Sequence, residues 1–265
     1  MIKAIAVDMD GTFLDSQKHY DEVRFNQQFQ KLQDKNIKFI AASGNQYAKL
    51  RSIFGDKEMY FIAENGAVIY QGNSLYDYKS FDIQDYQSLV QYLMLEQGLR
   101  EFIICGLKSA YILKDTSQPF KENAHFYYHQ LEEIDSFNVL PDDDYVKIAF
   151  NINRTTHPTL DEDMAIRFKY IASLVSSGHD SIDVIMPSMT KGEALKGLLT
   201  KWHIKPSELM AFGDANNDKD MLALAHYSYV MANSNDSELF DIAHAVAPSN
   251  DEQGVLQVID DVVLS

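Results

Sequence analysis

The stretch Ile2-Lys3-Ala4-Ile5-Ala6-Val7-Asp8-Met9-Asp10-Gly11-Thr12 is an apolar run that ends abruptly in two carboxylates, followed by a glycine. Ile2 to Val7 predicts a short, fully buried parallel strand, because strands covered on both faces read as continuous apolar runs. In open α/β sheets, ligands bind beyond the carboxyl ends of the strands. Asp8 and Asp10 therefore fall at the edge where chemistry is expected. In extended chain, positions i and i+2 share a face, so both carboxylates can converge on one point. Two such charges at close range require a cation or a shared proton. Taken alone, the same residues also fit a plain turn, since Asp and Gly are common turn formers.

Working outward, the chain repeats this pattern. Asp21 to Lys35 places Phe25, Phe29 and Leu32 at helical spacing, with Asn36 as a left-handed stop. Ile37 to Ala42 is a second apolar run, ending in Ser43-Gly44-Asn45, and a helical pattern through Tyr47, Leu50, Ile53 and Phe54 follows. Met59 to Ala63 is a third run, ending in Glu64-Asn65-Gly66. Strands alternating with helices predict a doubly wound α/β fold. Ala67 to Tyr70 and Leu75 to Tyr78, on either side of Gln71-Gly72-Asn73-Ser74, predict an edge hairpin.

From about Phe81 the rhythm changes. A helical pattern (Tyr86, Leu89, Val90, Leu93) leads to strand-like runs at Glu101 to Cys105 and Ala110 to Leu113. A helical, aromatic stretch around Phe126-Tyr127-Tyr128 is expected to be core, because no basic residues interleave it as a stacking platform would need. A strand (Val146 to Ile152), a helix (Asp161 to Ser176) and a strand (Ser181 to Ile185) complete an α+β block. The α/β rhythm resumes with a helix from Lys191 and a strand Leu209 to Phe212 ending in Gly213-Asp214. It continues with Met221 to Ala225 helical, Tyr229 to Ala232 a strand, Ser237 to Ala243 a helix, Ala245 to Ala247 a strand and Gly254 to Val263 a helix. Residues 1–80 and 189–265 are therefore expected to form one discontinuous α/β core, and 81–188 an inserted α+β domain.

Composition narrows the function. The chain has 265 residues, 46% hydrophobic and 23% charged, enough to bury a sizeable core. A formal net charge of -16 argues against a non-specific nucleic-acid binder, which needs clustered Lys and Arg. The one cysteine, Cys105, lies in an apolar strand-like run and is expected to be a buried thiol. No internal disulfide is possible, in keeping with a reducing cytoplasm. The first apolar run is too short, and acids follow it too soon, for a signal peptide, and no apolar stretch is long enough to span a membrane. No partner membrane is expected.

Four strand ends or helix starts stand out in order: Asp8-Met9-Asp10-Gly11-Thr12, Ser43-Gly44, Lys191-Gly192, and Gly213-Asp214-Ala215-Asn216-Asn217-Asp218. Each is weak alone. Together they resemble the four motifs of the haloacid dehalogenase (HAD) superfamily. The insert between the second and third motifs resembles the large C2 cap of the Cof-type (class IIB) subfamily. Ser43-Gly44-Asn45-Gln46-Tyr47 and Ala63-Glu64-Asn65-Gly66-Ala67 are most similar to sugar phosphatases of the SupH/YbiV type. The resemblance implies a HAD-type doubly wound (Rossmannoid) parallel sheet and a magnesium-dependent phosphatase of small phosphate monoesters, with sugar phosphates as the expected partners.

The same resemblance implies the site. Asp8 would be the nucleophile, forming an aspartyl-phosphate, and Asp10 the general acid for the leaving alcohol and then the base for water. Mg2+ would be held by the Asp8 carboxylate, the Asp10 main-chain carbonyl and the Asp214 carboxylate, an oxygen set suited to that ion. Ser43, Gly44, Lys191, Asn217 and the Met9 N–H would contact the phosphoryl group, while Thr12 and Asp218 would support the site. Many relatives carry Arg after the Ser-Gly pair where this chain has Asn45; Arg51, about a helical turn onward, could partly substitute, but a solvated helix face is its expected role. A sugar phosphomutase or phosphotransferase is the enzymatic alternative. A non-enzymatic phospho-accepting module is the other, but Asp10 equips the site to hydrolyse its own intermediate. A monomer or weak homo-oligomer is expected.

Overall fold

A computed structural model describes residues 1–176 and 181–265. The strands are β1 (Ala4–Asp8), β2 (Lys38–Ala42), β3 (Tyr60–Ala63), β4 (Val68–Gln71), β5 (Ser74–Tyr78), β6 (Phe102–Gly106), β7 (Ala110–Leu113), β8 (Leu131–Ile134), β9 (Tyr145–Asn151), β10 (Ser173–Ser176), β11 (Ser181–Ile185), β12 (Leu209–Gly213), β13 (Tyr227–Met231) and β14 (Ala245–Ala247). The α-helices are α1 (Glu22–Asp34), α2 (Tyr47–Phe54), α3 (Ile83–Gln91), α4 (Gln118–Tyr127), α5 (Leu160–Arg167), α6 (Lys191–Trp202), α7 (Lys219–Leu224), α8 (Ser237–Ile242) and α9 (Gly254–Ile259).

Two compact units form. The first comprises Met1–Gly44, Asp56–Tyr76 and Thr190–Ser265; the second comprises Asn45–Gly55 and Asp77–Met189. An eight-stranded sheet in the order β14-β13-β12-β1-β2-β3-β4-β5 frames the first. The pairs from β14 to β3 are parallel, and β4 is antiparallel to β3. β1 is entirely buried, as its apolar run requires. The small side chains of Ala4 and Ala6 join Leu195, Leu198 and Leu222 of α6 and α7 in one apolar cluster. Elsewhere in this unit Phe25 of α1 meets Phe13 and Phe39 at 5.0 Å ring separations. Asp21 caps α1 by accepting from the Arg24 N–H, and Asn36 adopts the expected left-handed conformation at φ 56°. The doubly wound α/β class and the edge hairpin are borne out. The chain runs outward from β1 through β2 and β3 and returns to its other side as β12, so the switch in strand order falls between β1 and β12.

The second unit is built on a six-stranded sheet, β10-β11-β9-β6-β7-β8, antiparallel except for the β7–β8 pair. Tyr86 and Leu89 of α3 and Leu160 and Met164 of α5 pack with Phe102, Ile148 and Val184 of the sheet. Cys105 is buried, its Sγ 3.6 Å from the Tyr128 hydroxyl. Asn45–Gly55 belongs with this unit although it follows β2 in sequence: Gln46 makes two hydrogen bonds to the Gln130 main chain, at 3.0 and 2.9 Å.

Two local expectations are corrected, and one strand is found where none was expected. The helix expected over 161–176 stops at Arg167, and Ser173–Ser176 is instead a strand, held by antiparallel pairing with Ile182–Ile185 that local spacing does not encode. Leu131–Ile134 (Leu-Glu-Glu-Ile) gives little strand signal, yet it pairs in parallel with β7. Of the aromatic trio, Tyr128 is core, whereas Phe126 is half exposed and stacks under the Lys49 ammonium.

Candidate active site

The site forms at the switch between β1 and β12, entirely within the first unit. After Asp8 the chain turns back on itself: the N–H groups of Phe13 and Leu14 both donate to the Met9 carbonyl, at 3.1 and 2.9 Å. Gly11 sits in this turn at φ 86°, where a side chain is strained. A Cβ there would lie 2.4 Å from Oδ2 of Asp214, so glycine is also what lets the two strand ends approach.

Asp214 follows β12 directly. Its Oδ1 accepts from the Thr12 hydroxyl at 2.7 Å, and its main-chain carbonyl accepts from Ser234 Oγ at 2.6 Å. Asp218, fully buried, folds back so that Oδ2 accepts from the N–H groups of Asp214 and Ala215, at 3.0 and 3.1 Å. Gly213 permits that return, since a Cβ there would lie 2.4 Å from Asp218 Cβ.

Lys191 opens α6, whose N-terminus is capped by the Thr190 hydroxyl accepting from the Glu193 N–H. Gly192 lets α6 come close to α7: a Cβ would be 2.5 Å from Asp220 Cβ. The Lys191 ammonium is buried and donates to Asp8 Oδ1 at 2.5 Å and to Asp218 Oδ1 at 2.8 Å. Burial disfavours its charge, but the two carboxylates outweigh that and hold the ammonium above its usual range. Burial, with the nearby Asp218, raises the Asp8 carboxyl well above the ordinary carboxylate range against the pull of Lys191. Burial and Asp218 also push Asp214 up to about 6.

Asp8, Asp214 and Asp218 present carboxylate oxygens within 4.8 Å of one another. This is a hard-oxygen donor set. Three carboxylates converge there against one ammonium, and this donor set with its excess negative charge fits a metal ion. Asp218 already spends Oδ1 on Lys191 and Oδ2 on two N–H groups, which leaves Asp8 and Asp214 as the better direct ligands.

The remaining candidates take distinct positions. The Asp10 carboxylate, about a third exposed, pairs with Lys18 at 2.7 Å. Met9 is buried beside Asp8 in the chain. Ser43 follows β2 directly and is buried, its N–H donating to the Ile62 carbonyl and its carbonyl accepting from the Asn65 N–H, with Gly44 next. Asn217 donates to the Asn65 side chain at 3.2 Å. The structure thus joins Thr12, Asp214, Asp218, Lys191 and Asp8 in one hydrogen-bonded chain of groups.

Three supporting residues escaped sequence reasoning, Lys18, Asn233 and Ser234, while Asn65 stood in a quoted motif without a role. Asn233 donates to the Gly11 carbonyl at 2.8 Å and, with Ser234, ties the β13 end to both acid-bearing loops. Ala232-Asn233-Ser234 repeats the small-polar ending seen after β1, β2 and β12, and that repetition was the available signal. Lys18 gives none, being one lysine in a polar turn.

A sequence model of the haloacid dehalogenase-like hydrolases matches residues 5–259. The chain belongs to this family of enzymes, and the expected resemblance to its Cof-type members is borne out. It is 38% identical over 265 residues to the 5-amino-6-(5-phospho-D-ribitylamino)uracil phosphatase YbjI of Escherichia coli K12, covering 99% of this chain and 96% of that one. Among solved structures, SMU.1108c of Streptococcus mutans UA159 superimposes with a TM-score of 0.92 at 34% identity, over the whole of both chains. The HAD subclass IIB sugar phosphatase BT4131 shares the fold, with a TM-score of 0.79 at 16% identity over 98% of each chain.

Proposed function

We propose that this enzyme is a magnesium-dependent phosphatase of small phosphate monoesters, with sugar or sugar-alcohol phosphates as substrates, acting through an aspartyl-phosphate on Asp8. The observation that carries this reading is the buried Lys191 ammonium lying between Asp8 and Asp218, with Asp214 alongside. A carboxylate held this way is oriented for attack, and the ammonium offsets charge on both the nucleophile and an arriving phosphoryl group.

Asp8 attacks phosphorus, and Asp10 gives a proton to the leaving oxygen and later takes one from water. Ser43, the N–H groups of Met9 and Gly44, and Asn217 bind the phosphoryl oxygens. Thr12 and Asp218 hold Asp214 and Lys191 in place. Asp8, Asp214 and the Asp10 carbonyl would hold Mg2+, which supplies charge compensation for the phosphoryl oxygens and the paired carboxylates. Residues 81–188 act as the cap that selects the leaving group. The substrate class is supported by the relative named for a 5-phospho-D-ribityl ester and by the fold shared with a sugar phosphatase. We place the enzyme in the cytoplasm, as a monomer or weak homo-oligomer.

The test is phosphate release from p-nitrophenyl phosphate and a panel of pentose, hexose and polyol phosphates, with Mg2+ or with chelator. Mg2+-dependent release that disappears in Asp8→Asn is expected. Undiminished turnover by Asp8→Asn, or none by the wild type on any ester, refutes the proposal. A phosphorylated acceptor in place of free phosphate would instead identify a phosphotransferase.

A further inference from the structure

The ion pair between Lys18 and Asp10 is built with more care than an exposed pair needs. Lys18 sits at φ 66°, a left-handed conformation uncommon for a residue with a side chain. The turn that carries it is closed on several sides. Asp15 Oδ1 accepts from the N–H groups of Gln17 and His19, at 2.9 and 2.8 Å. The Lys18 N–H donates to the Asp15 carbonyl at 2.9 Å, and the Asp15 N–H to the His19 carbonyl at 2.8 Å. Asp251 Oδ1 anchors the turn from outside by accepting from the Ser16 N–H at 2.7 Å. A flexible lysine on a surface carboxylate gains little, because both side chains lose freedom. Here the turn fixes the Lys18 backbone where its side chain reaches Asp10, so the pair forms without moving the chain. The strained conformation persists because the surrounding bonds impose it, and its result is an ammonium 2.7 Å from Asp10 Oδ1.

We propose that Lys18 is a positioning residue for Asp10, and that it selects which carboxyl oxygen handles the proton; this rests on the acid–base role of Asp10 proposed above. With Oδ1 engaged as an acceptor from the ammonium, a proton on Asp10 resides on Oδ2. In the first step an Asp8 oxygen bonds to phosphorus and the ester P–O bond breaks. Its electron pair stays on the leaving oxygen, which takes the proton from Asp10 Oδ2. Asp10 is left as a carboxylate, with Oδ1 still paired to Lys18. Without Lys18 the restraint that the ammonium places on Oδ1 is lost, and the proton is presented less often.

The discriminating experiment uses leaving groups. p-Nitrophenolate departs without a proton, whereas the alkoxide of a sugar or polyol phosphate does not. kcat/KM, which reports the steps through loss of the leaving group, is measured on p-nitrophenyl phosphate and on the best alkyl phosphate for wild type, Lys18→Ala, Lys18→Arg and Asp10→Asn. Thermal unfolding of each variant accompanies the kinetics. Lys18→Ala is expected to lose roughly tenfold on the alkyl ester and less than about threefold on the aryl ester, with Lys18→Arg restoring most of the difference. Equal losses on both esters, which a purely structural or phosphate-binding role would give, overturn the proposal, as does no loss on either. If Asp10→Asn discriminates between the esters and Lys18→Ala does not, only the positioning role fails. If Asp10→Asn does not discriminate, the acid role fails and the positioning role falls with it.

Discussion

The Thr12 hydroxyl donates to Oδ1 of Asp214 at 2.7 Å, joining two loops that are 202 positions apart in sequence. That bond fixes the rotation of a carboxylate that, in the proposed function, would hold Mg2+. Supporting hydrogen bonds of this kind typically govern about 10–100-fold in metal affinity. Thr12→Val, which keeps the shape and removes the donor, is expected to raise the Mg2+ concentration for half-maximal turnover by roughly tenfold. Titration of activity with Mg2+ measures this, and an unchanged midpoint would show that Asp214 is oriented without Thr12.

Gly11 is expected to be intolerant of even one methyl group. Gly11→Ala adds a Cβ 2.4 Å from Asp214 Oδ2 and strains a backbone at φ 86°. The strain alone costs on the order of 1–3 kcal/mol, and the collision moves Asp214. Turnover should be lost while far-ultraviolet circular dichroism stays that of a folded chain with a lowered melting temperature. A fully active Gly11→Ala variant would contradict the close approach of the two strand ends.

Lys191→Met should abolish turnover and destabilise the fold in a pH-dependent way. Removing one partner of a buried ionic group leaves uncompensated charge, at about 3–5 kcal/mol. Here the orphaned groups are Asp8 and Asp218. The Asp8 carboxyl is already raised by burial, and its protonation relieves part of that charge, so the deficit relative to wild type is expected to shrink from neutral pH to pH 5. Urea unfolding of both proteins at the two pH values measures it; a deficit independent of pH would argue that packing, and not charge, sets the cost.

Asp214 gives the sign of a second pH effect. Its carboxyl is raised from 3.8 to about 6, by burial first and by Asp218 next. Below about pH 4 the group is protonated in folded and unfolded chains and costs nothing. Between pH 4 and 6 the unfolded chain loses the proton first, so the fold loses stability, and the full cost is reached above pH 6. Asp8 shifts in the same direction. In the proposed function, a divalent cation held by Asp214 and Asp8 would remove this cost. The rise in melting temperature caused by saturating Mg2+ over chelator should therefore be small near pH 4.5 and grow towards pH 7. A constant Mg2+ effect across that range would rule out Asp214 and Asp8 as the linked groups.

Much of the fold was legible because strand burial and helix periodicity are local patterns. Ala4 to Asp8, Lys38 to Ala42 and Leu209 to Gly213 each announce themselves as apolar runs ending in small or acidic residues. Leu131–Ile134 and Ser173–Ser176 did not, because their strand character comes from partners, β7 and β11, that supply the missing hydrogen bonds. The acids and the lysine of the site were legible as residue types at strand ends and a helix start. Asn233, Ser234 and Lys18 were not, since a polar residue in a turn looks the same whether it faces solvent or grips another loop.

Residue order along the chain was enough to place Asp8 and Asp214 at the ends of strands on a doubly wound sheet, because side-chain alternation and burial act between near neighbours. It was not enough to say that Asp218 would spend both oxygens inside the protein, that Lys191 would bridge it to Asp8, or that Asp10 would turn to Lys18. Those facts depend on which loops meet once the sheet has closed. The charge state of each group depends on them in turn, since burial and the distance to the nearest opposite charge are properties of the packed molecule and not of any segment of it.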